Sequence, residues 1–168
     1  GKARRQAEMG GFSACDRGLT TALVTLAVDV GASDLKLVSL DLKAKDVTQP
    51  TRTATPRPAT PDAVLAAIVE AAQRHRPFHR AAVGFPGIVV NGVAINAPNM
   101  DEGWVAVPLQ ARLASALGCP VRVANDADVA GLGVLGTEPG SGHGVELVIT
   151  LGTGMGAALF VDGRLVPN

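Results

Sequence analysis

Three short stretches hold most of the residues in this chain that could do chemistry. They are Asp29-Val30-Gly31-Ala32-Ser33, Asn125-Asp126-Ala127-Asp128 and Gly152-Thr153-Gly154-Met155-Gly156, and each follows a short apolar run. In α/β proteins, sites gather where the chain leaves the carboxyl ends of strands. The third stretch has glycine at every second position, so its backbone N–H groups can converge on an anion, with the Thr153 hydroxyl as a further donor. It has neither the lysine nor the spacing of a P-loop, and no helix pattern follows it as the dinucleotide fingerprint requires. The first stretch joins a carboxylate to small and hydroxyl residues. Asp29 could hold a magnesium ion through water, since hard cations prefer oxygen ligands.

The middle stretch admits two readings. Asp126 and Asp128 could both serve a helix N-terminus, which favours acidic residues. Alternatively, Asp126 could take a proton from an alcohol or sugar hydroxyl during phosphoryl transfer, with Asn125 hydrogen-bonded to the same substrate and Asp128 left to the helix. Two phosphate-type turns in one chain favour the second reading. The other polar residues offer less. His75 and His79, at and just beyond a helix end, are expected as surface or C-terminal helix residues, and His143 has no assigned chemistry. Cys15 and Cys119 lack metal-ligand spacing and are too few for a disulfide scaffold, and Cys119 is expected as a small core residue. There is no zinc-type His/Cys cluster and no G-x-S-x-G nucleophile. Trp104 is expected as a wall of the core, beside a polar loop (97–103, APNMDEG) that could line a cleft.

These stretches need elements to position them. Ala22–Asp29 reads as a central strand buried on both faces, and Leu35–Leu40 as a second strand joined to it by a turn at 31–34. Asp46–Gln49 reads as a weaker third strand, and the proline-rich 50–61, with Arg52 and Arg57, as an extended loop that is either a solvated connection or an anion-contacting edge beside an active site. Thr60-Pro61-Asp62 starts a helix whose apolar stripe is Val64, Leu65, Ile68, Val69 and Ala72, and Pro77 ends it. Ala81–Phe85 is a strand running into Pro86-Gly87, and Asn91-Gly92 a turn. Leu109–Leu117 is a helix closed by Gly118. Val121–Ala124 is a strand, followed by a short helix starting at Asn125 or Asp126, in which Gly131 and Gly133 permit close packing. The loop 137–144 divides the chain, and a hairpin of 145–150 and 157–161 turns again at Asp162-Gly163 into Leu165 and Val166. The sum is an α/β fold with a mixed sheet. The expected organisation is a flexible tail over 1–20, a first domain over 21–136 and the opening strands of a second over 145–168.

The bulk composition is that of a folded protein: of 168 residues 47% are hydrophobic and 18% charged. Fifteen basic residues balance fifteen acidic ones, so nothing draws the chain broadly to nucleic acid or an anionic membrane. No run approaches membrane-spanning length, residues 1–20 do not read as a secretory signal, and the cysteine usage fits a reducing cytosol.

Taken together, DVGASDLK, TPRPATP, VGFPGIVVNG, APNMDEGW, PVRVANDADVAG and TLGTGMGAALFVDGRLVPN resemble the sugar kinases of the repressor/ORF/kinase group, in the actin-like and hexokinase-like superfamily, and most closely its polyphosphate glucokinases. The resemblance covers roughly Ala22 to Asn168. It implies an actin-like, ribonuclease H-like domain followed by an incomplete second domain. It implies donor phosphates at Asp29, Gly31, Ser33 and Lys36 and at Gly152, Thr153, Gly154 and Gly156. Asp126 would be the general base for the 6-hydroxyl of glucose, with Asn125 and Gly87 touching the sugar. The donor would be polyphosphate, ATP or both, with magnesium at Asp29, in a cytoplasmic homodimer. Two departures stand out. The family's first turn reads Asp-x-Gly-Gly-Thr-Gly, whereas here Ala32 adds a side chain and Asp34 a negative charge, which should repel phosphates unless a metal or Lys36 offsets it. After LVPN the family continues with a glucose-binding Glu-Leu-Gly-His segment and most of a second domain. The competing expectation is therefore a non-catalytic or truncated sugar-binding relative.

Overall fold

The computed structural model describes residues 23–138, 142–152 and 154–166. The expected tail at 1–20, Cys15 and Thr153 lie outside the described residues.

A five-stranded sheet carries the first part of the chain. Strand β1 (Thr25–Val30) pairs antiparallel with β2 (Asp34–Leu40), which pairs antiparallel with β3 (Thr51–Ala54). On its other side β1 pairs parallel with β4 (Arg80–Phe85), and β4 parallel with β7 (Val121–Asn125), giving the order β3-β2-β1-β4-β7. The mixed sheet expected from the opening hairpin is therefore present. The third strand is not where the sequence places it. Asp46 makes only an isolated bridge to Leu40, and the pairing strand is Thr51–Ala54, inside the stretch read as loop. Its residues are half-buried at most, because an edge strand needs little apolar patterning to pair through its backbone.

Helices α1 (Pro61–Ala72) and α2 (Leu109–Leu117) cover one face of this sheet. Thr60 caps α1 by accepting the Ala63 N–H at 3.3 Å, and Gly118, at φ 71°, closes α2 in the left-handed region. Val64, Leu65 and Ile68 of α1 and Leu109, Leu113 and Leu117 of α2 pack with Leu26, Val28, Val30, Val83 and Phe85 into one core. Trp104 belongs to it as expected, with its ring 4.6 Å from Phe85 between centroids. Cys119 is partly buried against the same core, and burial pushes its thiol pKa up. The central strand is not buried on both faces as read from its apolar run. Leu26, Val28 and Val30 are buried, but Asp29 on the opposite face is exposed, because among the described residues both core helices lie on one side.

The histidines also depart from expectation. His75 is 1% exposed. Its ring nitrogens meet Thr48 Oγ1 at 2.6 Å and Thr51 Oγ1 at 2.7 Å, and the Ser39 hydroxyl donates to its carbonyl. His79 is half-buried and accepts the Val24 N–H at 3.0 Å.

Between β4 and α2, strands β5 (Val89–Val90) and β6 (Val93–Ala94) form a small hairpin through Asn91 and Gly92, both at positive φ. After β7, helix α3 (Asp126–Thr137) leads to β8 (Val145–Leu151), β9 (Met155–Val161) and β10 (Arg164–Leu165), an antiparallel sheet of order β10-β9-β8. The β9–β10 turn is Asp162-Gly163, again at positive φ. This second sheet packs on α3, and Gly131 makes the approach possible. A methyl there would lie 2.7 Å from the Phe160 ring and 2.9 Å from the Ala158 methyl. Gly133 has nothing within 4 Å, so the close packing expected of both glycines falls to Gly131 alone. No described helix is long and apolar enough to cross a membrane.

Candidate active site

The parallel strands β1, β4 and β7 end at Val30, Phe85 and Asn125, so the turns that follow them leave one edge of the sheet. The β8–β9 turn comes up against the same edge. Between them lies a cleft of about 470 Å³. It brings together Gly31 and Ala32 from the first turn, Gly87 from the second, Asn125 and Asp126 from the third, and Gly152, Gly154 and Gly156 from the glycine turn.

Glycine is required where these pieces touch. A methyl on Gly156 would lie 2.6 Å from Thr150 Oγ1 and 2.7 Å from the Ala127 methyl, so its absence lets the second sheet rest on the start of α3. A methyl on Gly87 would overlap the Asn96 carbonyl oxygen. The start of α3 in turn sits directly over Gly84 of β4.

Asn125 fastens this arrangement. It is the N-cap of α3, and its Oδ1 accepts the N–H groups of Ala127 at 2.9 Å and Asp128 at 3.2 Å. Its Nδ2 donates to the Gly87 carbonyl at 3.0 Å. One side chain thus satisfies two helix-end donors and ties the Phe-Pro-Gly turn to the helix start. Asp126 is exposed to the cleft. Its Oδ1 accepts the Ala127 N–H at 2.9 Å, and its Oδ2 carries no hydrogen bond from a described residue. Asp128 is buried in the first turn of α3, in keeping with the helix role expected for it.

The first turn is organised by its charges. Gly31 N–H donates to the Asp34 carbonyl at 2.9 Å, closing the turn. Lys36 Nζ lies 2.8 Å from Asp29 Oδ2, with both side chains more than half exposed. Asp34 is paired with Arg52 of β3, and that guanidinium holds the Asp34 carboxyl below the usual carboxylate range. The compensation expected from Lys36 at Asp34 thus comes mainly from Arg52, while Lys36 itself is bonded to Asp29.

Asp29, Lys36 and Ser33 do not line the cleft. Asp29 and Lys36 stand beside it on β1 and β2, and Ser33 faces an adjoining recess. Two polar cleft residues lay outside the stretches that the sequence singled out: Asn96, whose Oδ1 accepts the Ile88 N–H at 3.3 Å, and Thr150. Asn99 lies in the polar loop that was expected to line a cleft. The position of Thr150 just before the glycine turn was the one available clue.

The sheet order, with an antiparallel β1-β2-β3 meander joined to the parallel strands β1, β4 and β7 and a cleft at the carboxyl ends of those three, defines an actin-like, ribonuclease H-like domain followed by a second small sheet. Comparison with known proteins narrows this. The chain belongs to the ROK family, whose model matches residues 25–167. It is 35% identical over 156 residues to a polyphosphate glucokinase of Mycobacterium tuberculosis, covering 90% of this chain and 58% of that protein. Among solved structures it is similar to an inorganic polyphosphate/ATP-glucomannokinase from Arthrobacter sp. strain KM, with 40% identity and a TM-score of 0.79 over 87% of this chain and 61% of that one. It is also similar to a ROK family glucokinase from Streptomyces griseus in complex with glucose and AMPPNP, with 30% identity and a TM-score of 0.75 over 85% and 46% of the two chains. The chain therefore spans less than two thirds of the length of these relatives.

Proposed function

We propose that this chain forms the base-bearing part of a glucokinase that transfers a phosphoryl group from polyphosphate or ATP to the 6-hydroxyl of glucose. The observation that carries the reading is Asp126. With a free carboxylate oxygen, it lines a cleft whose walls include two turns of the kind that bind phosphate. The names of the relatives above support the choice of acceptor and donors.

Asp126 acts as the general base. As the sugar oxygen bonds to the terminal phosphorus, the bridging P–O bond breaks and the hydroxyl proton passes to Asp126 Oδ2. The donor leaves one phosphoryl group shorter. Asn125 positions this base through the helix cap and the Gly87 tether, and keeps one N–H free toward the sugar. In this reading the glycine turn offers backbone N–H groups to the phosphates, other than that of Gly152, which donates to the Gly154 carbonyl at 2.9 Å, and Thr153 belongs to the same reading. Magnesium fits a site with a single carboxylate, since it binds through one or two carboxylates plus substrate phosphates and water. No cluster of three or more potential ligands occurs among the described residues, and Asp29, which stands beside the cleft with one oxygen on Lys36, would hold the ion through water. The ion would neutralise charge developing on the transferred group. A cytoplasmic homodimer completes this reading, and light scattering tests the dimer.

The test is a coupled assay with glucose and magnesium, with ATP and polyphosphate supplied separately. Asp126→Asn is expected to lower kcat by about 10²- to 10⁴-fold, the usual contribution of a positioned base, with the melting temperature unchanged. A variant that keeps wild-type kcat would refute the assignment.

A further inference from the structure

The loop between β3 and α1 carries a group that the proposed reaction leaves unused. It is fastened at both ends to the site. At its start the Thr55 hydroxyl donates to the Gly31 carbonyl at 2.7 Å, and the Thr55 N–H to the Ser33 carbonyl at 2.8 Å. At its end the Ala59 carbonyl accepts from Trp104 Nε1 at 2.8 Å, and Trp104 is buried against Phe85. Between these anchors Arg57 is exposed and makes no ion pair with any described residue. A cation on a loop already held at both ends loses little further backbone freedom on binding an anion.

Arg57 and Ser33 line one recess of about 480 Å³. Its walls include Ala32 and Asn99, which also line the main cleft, so the two spaces meet across the first turn. The recess has one carboxylate, Asp101, whose Oδ1 already accepts the Gly103 N–H at 2.8 Å. Asp34 in the same turn is paired with Arg52 and so repels an anion less than its bare charge would. The arrangement is a guanidinium and a hydroxyl set just beyond the cleft where phosphoryl transfer is proposed. A guanidinium fork matches two phosphate oxygens at once. Its best partner next to a transferred phosphoryl group is therefore another phosphate on the same chain.

We propose that Arg57, with the Ser33 hydroxyl, forms a second anion subsite that holds phosphates of a linear polyphosphate donor beyond the one being transferred. This rests on the phosphoryl-transfer reading of the adjoining cleft. A nucleoside triphosphate is the other source of the same chemistry. It offers three phosphates followed by a ribose, so it depends less on a cation at this distance.

The test compares the wild-type protein with Arg57→Gln and Arg57→Lys. Binding of long-chain inorganic polyphosphate is measured by calorimetry at several potassium chloride concentrations, and KM is measured for polyphosphate and for ATP. Arg57→Gln is expected to weaken polyphosphate binding about tenfold. It should also reduce the slope of log affinity against log salt by about one, as loss of a single phosphate contact does. Arg57→Lys should restore that slope and part of the affinity. KM for ATP should stay within about twofold and the melting temperature should not move. Unchanged polyphosphate affinity and slope would overturn the proposal, as would equal losses for polyphosphate and ATP. Arg57-dependent polyphosphate binding by a wild-type protein that phosphorylates no sugar would sink the kinase reading and leave the subsite standing.

Discussion

Removing Asn125 should loosen the cleft and the fold together, by an amount that can be divided between its two jobs. Its Oδ1 caps α3 through two N–H groups, and its Nδ2 holds the Gly87 carbonyl 38 residues away in sequence. Loss of an N-cap costs about 1 kcal/mol, within a range of roughly 0.5–2. Loss of the tether adds about 1 kcal/mol, the net worth of an ordinary hydrogen bond. Asn125→Ala should therefore destabilise by about 2 kcal/mol, which for a chain of this size is a fall of about 4–8 °C in Tm. Asn125→Ser keeps a capping oxygen but cannot reach Gly87 as a donor, so it should cost about half as much. Asn125→Asp keeps the cap and sets a carboxylate against the Gly87 carbonyl, so it separates cap from tether without truncating the side chain. Urea unfolding followed by far-UV circular dichroism and Trp104 fluorescence supplies the numbers. If alanine and serine are equally destabilising, the tether contributes nothing and Asn125 is only a cap. If alanine falls within about 0.5 kcal/mol of wild type, neither bond holds the site and the construction argued above is wrong.

Burial first, and the nearby Arg74 charge second, lower the pKa of His75, so the unfolded chain takes up the proton more readily than the folded one. Stability should be full above the ordinary histidine value near 6.5 and fall as pH drops below it; His75→Gln should flatten that fall, and an unchanged pH–stability curve would refute the reading. Gly156→Ala sets a methyl against Thr150 Oγ1 and Ala127 and should cost about 1–3 kcal/mol in thermal unfolding, with looser donor binding by calorimetry. Arg52→Gln should let the Asp34 carboxyl titrate upward toward the ordinary carboxylate range, as read by carbon NMR, and weaken anion binding at the first turn.

The parts of this fold legible in the sequence are those that local chemistry decides. Thr60-Pro61 at a helix start, Gly118 at a helix end and the turns at Asn91-Gly92 and Asp162-Gly163 each settle a backbone conformation within a few residues. The same holds for the site's centre, because Asn125 and Asp126 sit where a strand becomes a helix, a junction marked by adjacent capping residues. What was not legible depends on partners far along the chain. Thr51–Ala54 shows no apolar alternation and lies between prolines, yet it pairs because β2 offers it a free edge. His75 follows a helix end and reads as exposed, and is buried because Ser39, Thr48 and Thr51 close over it from 24 to 36 residues away.

The first turn carries this point into function. Along the chain, Asp34 is a negative charge intruding on a phosphate turn, with Lys36 the nearest cation. In the fold, strand pairing sets Lys36 opposite both Asp29 and Arg52, and the two cations divide the two carboxylates between them. The turn therefore meets an incoming anion with its acidic residues already matched. Arg57, two positions beyond the Thr55 anchor, makes no ion pair with any described residue. A substitution that looks like damage to the turn when read alone is offset by β3, the strand that the sequence pattern conceals. On this reading Asp34→Ala in a background already lacking Arg52 should restore much of the anion affinity lost by Arg52→Gln, because the charge that needed matching has gone. Calorimetry with inorganic polyphosphate reads the result, and a double variant as weak as Arg52→Gln alone would show that Arg52 contacts the anion itself.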